Sequence, residues 1–226
     1  VPTVLLVRHG RTTANASGVL AGWKPGVMLD EVGRSQAESL ARRLSGIELS
    51  GAVTSPLERT QQTTEILLDG RPGVTRDEDR RLGECDYGEW SGRSLKELAR
   101  DPLWKVVQSH PTAAAFPGGE SLAHMQHRAV SSIREWNEKW GESGVYLVVS
   151  HGDVIKAILA DALGMHLDHF QRLRIDPCSL SIVDYTAMRP FVDRINDTGG
   201  ALPAPSGRSR RKKRSSDAAV GGGAGS

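Results

Sequence analysis

Two short apolar runs, each ending in a histidine–glycine pair, constrain this chain more than any other feature. The first is Thr3-Val4-Leu5-Leu6-Val7, which delivers Arg8-His9-Gly10; the second is Tyr146-Leu147-Val148-Val149, which passes through Ser150 into His151-Gly152. A continuous apolar run of this length reads as a strand buried on both faces, as in a parallel sheet. Functional groups in such sheets collect beyond the carboxyl ends of the strands. Both histidines stand at that kind of position. With a guanidinium beside one of them, they make a setting suited to a doubly charged phosphate.

The residues between these runs alternate in period. Ala37, Leu40, Ala41 and Leu44 share one face of a helix over 33–44, and a short strand follows at 51–54. Ser55 as an N-cap, with Pro56 at the first helical position, predicts a helix that runs to about Leu68. Leu122, Met125, Ala129, Ile133, Trp136 and Trp140 mark a longer helix after Pro117-Gly118-Gly119, with both tryptophans on its buried stripe. The strand 146–150 leads into a helix over 153–163, and 180–183 and 191–193 read as closing strands. This alternation implies an α/β fold: a three-layer sandwich with a mostly parallel central sheet and helices on both faces.

A chain of 226 residues suffices for one such domain, expected over 1–198. From residue 199 the apolar periodicity stops. Six basic residues, Arg208, Arg210, Arg211, Lys212, Lys213 and Arg214, face the single acid Asp217, which puts +5 on the tail and −3 on the rest of a chain of net charge +2. A segment so rich in glycine, serine and proline is expected to be disordered over 199–226, with catalysis independent of it. Its basic run reads as solvated in preference to a nucleic-acid or other anion-binding site.

Several function classes drop out. No stretch approaches the roughly 20 apolar residues of a membrane helix. No basic region or cleavable apolar segment stands before the first strand, so the cytoplasm is the expected location. Two cysteines, Cys85 and Cys178, are too few for a disulfide framework or a cysteine zinc site. As a phosphatase nucleophile Cys85 would need an arginine six positions on, where Ser91 stands. His124 with His127, and His166 with His169, have ligand spacing but lack the acidic or cysteine partners that complete a site; they read as surface residues, and no metal or cofactor is expected.

Three strand-to-helix junctions carry polar groups: Arg8-His9-Gly10, Ser55 to Thr60, and Ser150-His151-Gly152-Asp153. In a parallel sheet they share one edge, where helix N-termini add backbone donors and positive dipole ends. Arg59, in the first turn of its helix, can reach over that edge. Two arginines and two histidines around one point repel one another unless an anion lies between them.

The ordered motifs Arg8-His9-Gly10 with Asn15, Gly22-Trp23, Leu29 to Gly33 with Gln36-Ala37, Ser55-Pro56-Leu57 with Arg59-Thr60, Leu82-Gly83-Glu84 with Gly88 and Trp90, Gly118 to Ser121, and Ser150-His151-Gly152 resemble the histidine phosphatase superfamily, in its phosphoglycerate-mutase-like branch. The resemblance spans about residues 3–185 and leaves the tail outside it. It implies that His9 takes the phosphoryl group on a ring nitrogen, that Arg8, Arg59 and His151 form the phosphate pocket, and that Glu84 protonates the leaving oxygen. Gly10, Thr12 and Asn15 fall in the substrate-binding loop. On the residues alone, Arg59 could instead pair with Glu58 or Glu65, Asp86 and Glu89 compete with Glu84, Thr12 lines the pocket or caps the loop, and Asn15 lines the pocket or serves a turn.

A phosphatase and a mutase share the phosphohistidine and differ in what receives the group. The mutases of this branch carry a longer insertion, with basic residues, between the acid loop and the Gly-Gly-Glu segment, and an acid or amide followed by serine where this chain has Arg11-Thr12. The interval 91–117 is short, and helix-surface roles account for Arg93, Lys96, Arg100 and Lys105. The favoured expectation is therefore metal-independent hydrolysis of a small phosphomonoester at mildly acidic to neutral pH. The alternatives are a phosphomutase, or a regulatory protein that binds nucleic acid through the tail. An edge strand or open helix face would allow a homodimer.

Overall fold

Both histidine-bearing runs are central strands. The computed structural model describes residues 1–200 and 220–223. In chain order the elements are β1 (Thr3–Arg8), α1 (Thr13–Ser17), α2 (Glu31–Leu44), β2 (Gly51–Thr54), α3 (Glu58–Leu67), β3 (Arg76–Glu78), α4 (Leu95–Leu98), α5 (Pro102–Ser109), α6 (Leu122–Trp140), β4 (Val145–Ser150), α7 (Gly152–Ala162), β5 (Leu180–Tyr185) and β6 (Pro190–Asp197). The strands form one sheet in the order β3-β2-β4-β1-β5-β6. β3, β2, β4 and β1 run parallel, while β5 and β6 are antiparallel to their neighbours, so the mostly parallel sheet is mixed at one side.

Side chains of successive strand residues enter opposite layers, as the period of two requires. Val4, Leu6, Val53, Tyr146 and Val148 pack with Leu122, Met125, Ala129 and Ile133 of α6 and with the apolar residues of α7. Leu5, Val7, Ala52, Leu147 and Val149 pack on the other face with Ala37, Leu40 and Leu44 of α2 and Leu67 of α3. β3 has no apolar signal, since Arg76, Asp77 and Glu78 lie at a sheet edge; its order comes from parallel pairing with β2. Trp136 and Trp140 are only partly buried; they stack on each other at 6.4 Å and pack against the core.

Two helix starts differ from the sequence expectation. α2 begins two residues earlier, where the Asp30 carboxylate accepts from the N–H of Gly33 at 2.8 Å. α3 begins at Glu58 with Leu57 as N-cap, two residues inside the predicted start. The Ser55 hydroxyl accepts only from the N–H of Leu57, at 3.4 Å, and is also hydrogen-bonded to Nε2 of His151, 2.8 Å away. The Ser55 carbonyl accepts from Oγ1 of Thr60 and Nε2 of Gln61.

The expectation of a disordered tail falls, for 201–219 and 224–226, outside the described residues. For 220–223 it gives way: Val220 is 1% exposed and belongs to the core on the α6–α7 side, followed by a single tight turn. One apolar side chain with a slot to fill suffices to order a short glycine-rich segment locally. Among the described residues no helix is long and apolar enough to cross a membrane.

The loop after β1 lies hard against the start of α2. A Cβ on Gly33 would stand 2.0 Å from the carbonyl oxygen of Arg11, and one on Gly10 would stand 2.5 Å from the carbonyl oxygen of Gly33. Backbone atoms on both sides leave nothing flexible to yield. Gly33→Ala is expected to lower stability by about 1–3 kcal/mol, whereas Gly46→Ala, with open space around its Cβ, should be nearly neutral; thermal unfolding of the two variants checks the contrast.

Candidate active site

Strand register carries the three junctions to one point. β4 lies between β1 and β2, with Arg8 opposite Ser150 and Thr54 opposite Val149. The ladder continues one residue past each strand: the N–H of His9 donates to Ser150 O and that of Ser55 to Val149 O, both at 3.0 Å. His9 and His151 therefore emerge side by side, ring centroids 5.2 Å apart and planes inclined at 61°. Arg59 arrives from the first turn of α3, and Glu84 from the loop after a single turn at Arg80–Leu82.

The His9 ring is fixed in one tautomer. Its Nδ1 lies 2.7 Å from the carbonyl oxygen of Gly10, which can only accept, so Nδ1 carries the hydrogen and Nε2 keeps its lone pair. Nε of Arg59 donates to that Nε2 at 3.3 Å. Burial holds the His9 pKa well below its ordinary value, with the charges of Arg59 and then Arg8 acting in the same direction. His151 is likewise held low, by burial first and Arg59 next. Both imidazoles are neutral before an anion enters.

Arg59 is buried and pairs with neither Glu58 nor Glu65. Its Nη2 donates to the carbonyl of Gly22 at 2.9 Å, and its buried Nη1 has no hydrogen-bond partner. A guanidinium hydrogen left unsatisfied inside a protein is costly, and an anion's oxygen would satisfy it. Arg8 is also buried; Nη1 donates to Ile175 O at 2.8 Å, and burial brings its pKa down to about 10, so it stays charged at neutral pH.

Of the three acids in the loop, Glu84 is buried while Asp86 and Glu89 are exposed. Its Oε1 accepts from the N–H of Cys85 at 2.9 Å, and its Oε2 lies 3.9 Å from Nδ1 of His151. Burial, then the charge of Asp153, raises the carboxyl to about 7 against the opposing pull of Arg59. The Tyr87 hydroxyl stands between the two acids, 2.8 Å from Asp153 Oδ2 and 3.4 Å from Glu84 Oε1. The shorter bond claims its single hydrogen for Asp153, so Glu84 receives no donor from Tyr87. Cys85 and Cys178 are buried free thiols, and burial raises both pKa values, that of Cys178 to about 12.

Thr12 and Asn15 do two jobs. They form a reciprocal capping box at α1, Thr12 Oγ1 accepting from the N–H of Asn15 and Asn15 Oδ1 from that of Thr12, and both line the pocket. Gly10 departs from the substrate-binding expectation: its N–H donates to Thr63 Oγ1 at 3.1 Å, and its carbonyl serves His9. The walls come from 18–22 and Leu95; the rest of 91–117 stands back. His124, His127, His166 and His169 are exposed and far from forming a cluster; among the described residues no group of three or more His, Cys, Asp or Glu could hold a metal ion.

Sequence reasoning missed the supports. Arg128, on α6, donates to the carbonyls of Arg81, Gly83 and Glu84 and is held by Glu120 at 2.6 Å. Trp23 Nε1 also donates to Glu84 O. The one signal for Asp153 and Lys156 was an acid and a base on an otherwise apolar helix; they pair at 3.2 Å, both buried.

Residues 4–198 match the histidine phosphatase superfamily (branch 1). Over 184 residues the chain is 34% identical to the probable phosphoglycerate mutase GpmB of Yersinia pestis, covering 80% of this chain and 84% of that one. Among solved structures, YhfR of Bacillus stearothermophilus is 30% identical with a TM-score of 0.81, covering 87% of this chain and 98% of its own. The mycobacterial glucosyl-3-phosphoglycerate phosphatase in complex with VO3 is 25% identical with a TM-score of 0.78, covering 87% and 100%.

Removing the Arg59 charge should let His9 take up a proton more readily. In Arg59→Gln the imidazole is expected to titrate at higher pH than in the parent; nitrogen chemical shifts from long-range NMR correlations read both the titration and the tautomer.

Proposed function

The chain belongs to the histidine phosphatase superfamily, branch 1, and on that premise we propose that it hydrolyses a small phosphomonoester through a phosphohistidine on His9. The observation that carries this reading is the neutral Nε2 of His9, its lone pair facing a buried guanidinium with one unsatisfied nitrogen.

The substrate's phosphoryl oxygens take the positive groups of Arg8 and Arg59 and the imidazole of His151, which hold charge on the equatorial oxygens through the transition state. Nε2 of His9 attacks phosphorus in line with the leaving oxygen. The N–P bond forms as the P–O bond breaks, and the leaving oxygen takes the proton of Glu84. The imidazole, phosphorylated at Nε2 and still protonated at Nδ1, is cationic, and the Gly10 carbonyl stabilises it. The Glu84 carboxylate then removes a proton from water, whose oxygen displaces His9 from phosphorus. Inorganic phosphate leaves, and both groups return to their starting states. Fixed cations supply the charge stabilisation that a metal provides elsewhere.

The pocket favours water over a second substrate as acceptor. Among the described residues Arg59 is the one cationic residue lining it, beside the apolar Val19, Leu20, Ala21 and Leu95. A phosphoglycerate acceptor would bring a carboxylate and a second phosphate to that wall, with no cation besides Arg59 among the described lining residues to receive them. The relatives named as probable phosphoglycerate mutases keep the mutase reading as the competitor. Turnover of an aryl phosphate in the presence of a chelator, reduced at least ~1000-fold in His9→Ala, is the expected result. Equal rates for the two proteins would end the assignment. Conversion of 3-phosphoglycerate to 2-phosphoglycerate that depends on a bisphosphorylated primer would replace hydrolysis with mutase chemistry.

The acid sets the pH dependence. Glu84 must begin protonated, so kcat/KM should fall as pH rises through about 7. Asp153→Asn removes the neighbouring negative charge and frees the Tyr87 hydrogen to support the Glu84 carboxylate. The alkaline limb should move to lower pH in that variant, while a merely structural defect would lower the whole profile without moving it.

A further inference from the structure

The chain's own C-terminal residues lie where the substrate must go. Val220, Gly221 and Gly223 line the same pocket as His9, Arg59 and Glu84. Val220 is the anchor, buried in the core to within 1% of full enclosure. The N–H of Gly221 donates to Asp153 Oδ2 at 2.9 Å, and Arg8 Nη2 donates to Gly221 O at 3.4 Å and to Gly223 O at 2.5 Å. Two backbone carbonyls thus take a guanidinium assigned above to phosphate.

Magnitude decides what this contact does. The space left in the pocket is about 20 Å³. That holds one water and no phosphoryl group. The segment is therefore incompatible with bound substrate, which rules out a role as a wall of the occupied site. Its composition fits the seat: Gly221 and Gly223 have φ of +70° and +56°, and a Cβ on Gly221 would stand 2.7 Å from Leu20 Cδ1.

We propose that residues 220–223 are an intramolecular plug, a docked segment of the chain itself that competes with the substrate phosphate for Arg8. This rests on the phosphatase reading of the pocket and adds regulation to it. The carbonyls are neutral acceptors, and a phosphate dianion makes stronger, charge-assisted hydrogen bonds to the same guanidinium, so substrate displaces the plug at sufficient concentration. Docking costs apparent affinity and leaves the chemical step untouched. The docked fraction divides the sites open to substrate, as any competing closed state does.

The test uses the full chain and two variants, Val220→Asp, which places a charge in the apolar slot, and Gly221→Pro, which removes the N–H to Asp153 and forbids the positive φ. Inorganic phosphate is titrated calorimetrically into each, and KM and kcat are measured on an aryl phosphate. Both variants should bind phosphate about tenfold more tightly than the parent, the scale set by burying one valine side chain, with KM reduced similarly, and with kcat unchanged in Val220→Asp. A synthetic peptide of residues 216–226 added to Val220→Asp should restore the weaker phosphate binding competitively. Phosphate affinity that stays the same or weakens in both variants overturns the plug. Because phosphate binding is read without turnover, a failed plug leaves the parent's hydrolysis intact. Conversely, a protein inactive on phosphomonoesters can still show the competition.

Discussion

Two guanidinium groups and two imidazoles are buried around one point, with a single carboxyl group facing them, and most of the surrounding structure follows from keeping that arrangement tolerable. The conflict is reduced by keeping both histidines neutral and by spreading the arginine hydrogens over backbone carbonyls of Gly22 and Ile175. What remains is the unsatisfied Nη1 of Arg59 and a net demand for negative charge. A phosphoryl dianion meets that demand when it displaces residues 220–223, so the charged groups themselves are in place before the ligand arrives.

The acid shows the same economy in the opposite sense. Glu84 sits beside cations that would ordinarily keep it ionised, yet burial and Asp153 outweigh them. Tyr87 has one hydrogen and gives it to Asp153, while Lys156 and the Gly221 N–H also satisfy Asp153. A negative charge is thereby stabilised within reach of Glu84 without that stabilisation passing to Glu84 itself. Proton donation to a leaving group needs a carboxyl with that history.

Strand ends and their order were legible because a parallel sheet leaves uninterrupted apolar runs, and those runs end where the polar groups begin. Arg8, His9, Arg59 and His151 could be named from their positions relative to such runs, whereas Glu84 came only from the family resemblance, with Asp86 and Glu89 as rivals on the residues alone. Ser55 was misread as a cap because capping propensity is local, whereas its partner, His151, comes from a strand far along the chain. β3 was invisible because an edge strand paired on one side tolerates Arg76, Asp77 and Glu78. Arg128 and Tyr87 escaped notice for a related reason: an arginine on a helix face and a tyrosine in a loop carry no local sign of the carbonyls or carboxylates they will meet. Val220 was hidden by its neighbours, since glycine and serine around it lower the average that a composition argument reads.

Arg128 gathers three carbonyls of the acid loop from α6, which contributes no residue to the pocket lining among the described residues. The position of the proton donor is thus inherited from the packing of α6, while the space beyond the phosphate is shaped by Leu20 and Leu95. Reaction and selectivity are consequently separable in this scaffold. The side chains that would choose among leaving groups can be exchanged for larger, smaller or charged ones without moving the atoms that make and break the bonds to phosphorus, and a single catalytic frame can serve many different esters.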